Sequence, residues 1–238
     1  MRHLYWAMSE ATRFDRFGVT EDDRPSGWRA WLAGVAFMSG VACWAMASVL
    51  YGLFHVHAVG ALLAAVAVCT WEHWLHEPKF PGGAMILAHV LQPKSDTLVL
   101  DQHRRAAVNL GLLLLKPLLV MLLCSMKEMR WLIAYSVLSS CIMLDLSGAV
   151  LVRRKTCSWK AVSHWIVAAV VLLILSLLHG VHFTLVAIAA LAAAFLLPPI
   201  AVRFSPFEAY DRQPSAKALY LCFGELTMLL VGVIGLAF

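Results

Sequence analysis

Charge is scarce in this chain. Only 14% of its 238 residues are Asp, Glu, Lys or Arg, 61% are hydrophobic, and the mean hydropathy is +0.78. A water-soluble domain of this length cannot hide so much apolar surface. That excludes the soluble globular classes and predicts an all-α, polytopic transmembrane helix bundle, one integral membrane domain over 1–238. The opening residues lack a basic stretch followed by an apolar run and a small-residue cleavage site. They are polar and mixed in charge ("EATRFDRFGVTEDDRPSG"), so residues 1–30 are expected to form a retained cytoplasmic segment. None of the six cysteines forms a C-x-x-C pair, which argues against a zinc site or a disulfide framework and for small buried hydrophobes. There is no internal repeat or low-complexity tract. The expected surroundings are a lipid bilayer and no nucleic acid, with a homo-oligomer or a partner membrane protein left open.

Long apolar runs are what the chain does have. A bilayer core takes roughly 20 residues of helix, and seven spans are predicted: 31–54, 57–76, 106–124, 131–152, 162–179, 182–202 and 218–237. The stretch "AMILAHVLQ" (84–92) is too short to cross and is expected to lie at the interface or re-enter. Of the 19 Lys and Arg, sixteen fall in alternate connections and two, Lys127 and Arg130, in the others; the last is Lys116. The positive-inside rule then puts the N-terminus in the cytoplasm and the C-terminus outside.

The few charges inside or beside these spans are the candidates for function. At the cytoplasmic end of the second span, "CTWEHWLHEPKFPGG" (69–83) gathers Glu72, His73, His76 and Glu77. Spacings of i,i+3 and i,i+4 predict all four on one face of a helix that ends at Pro78, Pro81 and the following glycines. Such a face could hold a divalent metal; an interfacial helix end anchored by Trp71 and Trp74 is the competing reading. Lys116, Asp145 and Glu225 stand about 7–10 residues inside their spans, roughly 10–15 Å deep. Isolated charge at that depth is costly. Lys116 is therefore expected to pair with Asp145 or Glu225, either to order the bundle or to take part in chemistry. His55, His57, His179 and His182 flank two short outer loops and could bind a metal or haem if those loops are neighbours.

Several segments resemble the cobalamin synthase family, the membrane enzymes called adenosylcobinamide-GDP ribazoletransferases. "LYWAMSEATRF" (4–14) is similar to the family's aromatic opening, with Thr12, Arg13 and Phe14 at its T-R-[LF] element. "RAAVNLGLLLLK" (105–116) resembles the segment ending in a glycine, an apolar run and a lysine. "LYLCFGELTMLLVGVIGLAF" (219–238) resembles the closing helix with its G-E-L-x-x-L-L pattern. Order and spacing agree over nearly the whole chain.

The resemblance implies a bacterial inner membrane protein that joins adenosylcobinamide-GDP to α-ribazole with Mg2+, releasing GMP. Its implied partner is a corrinoid or other phosphate-bearing small molecule. By the same resemblance His76, Glu77 and Arg105 are the candidate catalytic residues. Glu72, Glu77 and Asp101 would hold the metal, and Arg13, Arg104, Arg105 and Lys116 would meet the substrate. The family's acidic motifs are altered here. H-L-D-G-L-A-D-x-x-D-G is replaced by "HWLHEPKFPGG" (73–83), D-S-R-x-G-x-x-G by "HRRAAVNLG" (103–111), and G-D-x-x-G-A by "PSAKAL" (214–219). Magnesium needs hard oxygen ligands, so transfer activity is expected to be weakened. A non-catalytic corrinoid- or partner-binding protein, or a histidine-based haem or metal protein, are the alternatives.

Overall fold

The computed structural model describes residues 4, 7–8, 28–75, 79–90, 98–151, 159–203 and 216–238. Among them the chain forms seven helices and no strand: α1 (Trp28–Leu53), α2 (His57–Leu75), α3 (Lys79–Val90), α4 (Leu98–Ser125), α5 (Trp131–Leu151), α6 (Trp159–Arg203) and α7 (Ala216–Ala237). Five of them are long and apolar enough to cross a membrane by length and composition. Each predicted span coincides with a helix or with one arm of α6.

α6 is a hairpin of helices. A straight helix would separate residues 165 and 195 by about 45 Å, yet the rings of Trp165 and Phe195 stand 5.7 Å apart. The reversal is at Gly180, with φ 85° and ψ −176°. That region is open essentially to glycine alone. Nothing lies within 4 Å of a Cβ built there, so backbone conformation and not space demands the glycine. One glycine thus divides a 37-residue apolar stretch, 162–198, into two antiparallel arms.

α5 lies at the centre, packed against α1, α6 and α7. Its described side chains from Trp131 to Leu146 are buried except for Ser140 and Asp145, which are half-buried. A helix apolar on every side is a core helix. The outward faces of the surrounding helices are apolar too, as at Leu173, Leu177 and Val181. Such a surface suits lipid and not water.

α3 differs from its sequence expectation. Pro81, Gly82 and Gly83 do not end a helix; they lie in the first turns of a new one. Proline is tolerated there because early helical N–H groups have no carbonyl partner anyway. Gly83 lets α3 press onto α7, since a Cβ at that position would overlap the Ala218 carbonyl.

Candidate functional site

α2, α4 and α7 each bring one charged residue into the interior. Glu72 sits three residues before the end of α2, Lys116 precedes Pro117 inside α4, and Glu225 lies in the middle of α7. Pro117 has no N–H to give the helical ladder. The Lys116 Nζ donates to Glu225 Oε2 at 2.6 Å and lies 2.7 Å from Glu72 Oε2. All three residues are 4% exposed. α5 and α1 complete the cluster: the Tyr135 hydroxyl donates to Glu72 Oε1, and the Cys43 thiol approaches the same oxygen at 3.8 Å. Five helices thus meet at one ammonium shared between two carboxylates. The sequence expectation that Lys116 meets Glu225 agrees with this geometry.

Asp145, the other expected partner, belongs to a separate cluster. It accepts a hydrogen bond from Trp165 Nε1 at 2.8 Å and lies 2.9 Å from His164 Nε2. His164 is fully buried. α5 therefore carries the two polar clusters at different points, Tyr135 near its start and Asp145 three turns later.

Glu72 departs from its expected role. It does not share one face with His73; Glu72 is buried and His73 is exposed. Successive residues on a helix point about 100° apart, so the two cannot share a face once one of them turns inward. His76, Glu77 and Arg13 lie outside the described residues, as do the side chains of Asp101 and Arg104. Arg105 is exposed near the start of α4. The described residues hold no group of three or more His, Cys, Asp or Glu side chains able to share a metal ion. Of the magnesium set implied by the resemblance only the side chain of Glu72 is described, and its carboxylate is bound to Lys116 and Tyr135.

The four outer histidines are likewise not assembled into one metal site among the described residues. His57 stacks on Tyr51 with ring centroids 5.2 Å apart, while His179 packs on Phe183 at 5.1 Å and borders a cavity with His182. The described cysteines are free thiols, buried except for the half-buried Cys69.

Tyr135, Cys43, His164 and Trp165 escaped the sequence reading. A buried tyrosine or tryptophan normally finds a partner for its polar tip, so Tyr135 and Trp165 carried a usable signal. Cys43 carried none.

No protein-family model matches the chain, and no curated protein or solved structure matches it either.

Proposed function

We propose that this chain is a divergent cobalamin-synthase-like membrane protein that binds a corrinoid or another phosphate-bearing ligand, with transfer activity weakened or lost. The observation that carries the reading is the Lys116–Glu225 pair. These residues belong to two segments of the resemblance far apart in sequence: the lysine ends 105–116, and the glutamate stands in the G-E-L of 219–238. Their side chains meet at 2.6 Å. A frame in which those segments must touch accounts for both being present. Weakened transfer is supported by Glu72, whose carboxylate is bound to Lys116 at 2.7 Å and is not free for a cation. Phosphoryl chemistry depends on such cations for charge stabilisation.

In this reading the membrane is a bacterial inner membrane, with the N-terminus cytoplasmic and the C-terminus outside. The ligand meets the cytoplasmic end, where Arg105 begins the apolar part of α4. Arg104 and Arg13 join it in contacting phosphate.

Two measurements on the purified full chain test this. Titration with adenosylcobinamide-GDP should give saturable binding, followed by the corrinoid absorption bands in the protein fraction. Incubation with adenosylcobinamide-GDP, α-ribazole and magnesium should give little or no product. Rapid product formation would overturn the weakened-transfer half. Absence of corrinoid binding would overturn the ligand assignment.

A further inference from the structure

At the other end of α4, about 30 Å along the axis from Arg105, lies a cavity of about 520 Å³. That volume is within the usual range for small-molecule sites. Its walls come from α1, the α4–α5 turn, the reversal of α6 and the end of α7. The polar lining is mainly basic or imidazole: Lys127, Arg130, His179 and His182, with Glu128 as the one carboxylate. Trp44 and Leu178 supply apolar surface.

The backbone at Lys127 is the unusual feature. α4 ends in two capping bonds, Lys127 N–H to the Cys124 carbonyl at 3.0 Å and Glu128 N–H to the Leu123 carbonyl at 2.9 Å. This is the pattern in which the residue after the helix turns left-handed, a position that usually takes glycine. Lys127 has φ 63°, so a side-chain-bearing residue is held where glycine would be less strained. What lysine adds over glycine is a cation and a long reach, both at the cavity wall. The second arm of α6 also starts beside the cavity at His182, and a helix start adds partial positive charge.

We propose that this cavity binds a phosphate ester carried on an apolar body. Lys127 and Arg130 pair with the anionic head, while Trp44 and Leu178 pack on the body. Glu128 opposes the anion and sets an upper limit on affinity. The head could belong to an anionic membrane lipid or to a dissolved phosphate ester, and the experiment separates these sources.

The full chain in phosphatidylcholine discs is titrated calorimetrically with phenyl phosphate. In a second arm, native mass spectrometry compares retention of phosphatidylglycerol with that of phosphatidylcholine. Saturable one-to-one binding of phenyl phosphate assigns a dissolved ester; selective retention of phosphatidylglycerol alone assigns a lipid head; either supports the site. Arg130→Gln should weaken the bound species about tenfold, the size of a lost charge-assisted hydrogen bond. Glu128→Gln should tighten it. Lys127→Gly should weaken it while raising the apparent melting temperature, which separates loss of the cation from loss of the fold. The proposal is overturned if neither probe binds selectively, if Lys127→Gly and Arg130→Gln bind like the unaltered chain, or if Glu128→Gln binds more weakly.

Discussion

Lys116 is the residue on which the interior depends most. It is the one cation between two buried carboxylates, Glu72 and Glu225. Removing one member of a buried ion pair leaves uncompensated charge and costs about 3–5 kcal/mol. Lys116→Met should therefore lower stability by that order, seen as an earlier midpoint in thermal unfolding of the detergent-solubilised chain. Adding Glu72→Gln and Glu225→Gln to that variant should recover part of the loss, because the charge left behind is then gone. A triple variant no more stable than Lys116→Met would show that packing, not charge, dominates at this point. Asp145 is held differently, by Trp165 and His164. Asp145→Ala should cost about 1–3 kcal/mol for the donors left unpaired. In a double-mutant cycle with Trp165→Phe the losses should be less than additive, since both variants break the same bond.

At the scale of the element, α6 shows how much one backbone position can decide. Its two arms pack against each other only because Gly180 reverses the chain. Gly180→Ala should cost about 1–3 kcal/mol, the range for a residue forced into a sparsely populated backbone region. A cysteine pair at 165 and 195, introduced into a cysteine-free background, provides the check. Cross-linking with a short reagent should be efficient in the parent and slower in the alanine variant. Equal rates would mean that the reversal does not need the glycine. α3 gives a related case through its close approach to α7. Gly83→Leu should push the two helices apart, because a Cβ there already overlaps the Ala218 carbonyl. Exposure of Cys222, buried on the facing side of α7, to a membrane-permeant thiol reagent reads that separation directly.

Among the described residues the molecule is a bundle packed around α5, with apolar outer faces and few charges within its apolar spans. Sixteen Lys and Arg in alternate connections against two in the others predict opposite sides for Lys160 and for the C-terminus. Reporter fusions after Lys160 and after Phe238 should give cytoplasmic and external signals respectively. The same signal from both would mean an even number of crossings between them and would overturn this topology.

Helix content and the limits of the spans were written locally in this chain. A span needs only a sum of hydropathy over some 20 neighbouring residues, and that sum is legible without any partner. The break at 180–181 was legible for the same reason, since two spans had to fit into one apolar run. The burden on Lys116 was legible as well: its depth alone required a partner. Which carboxylate would answer depended on the rotation of each helix about its axis and on which helices are neighbours. The apolar patterns could not supply this, because α5 is apolar on all sides and gives no preferred face. Packing turned Glu72 inward to Lys116, gave Asp145 to Trp165 and His164, and kept His55 and His57 out of a shared metal site with His179 and His182. Those choices were tertiary because a buried charge takes the partner that packing brings within reach, and helices separated by a hundred residues come together only when the bundle closes.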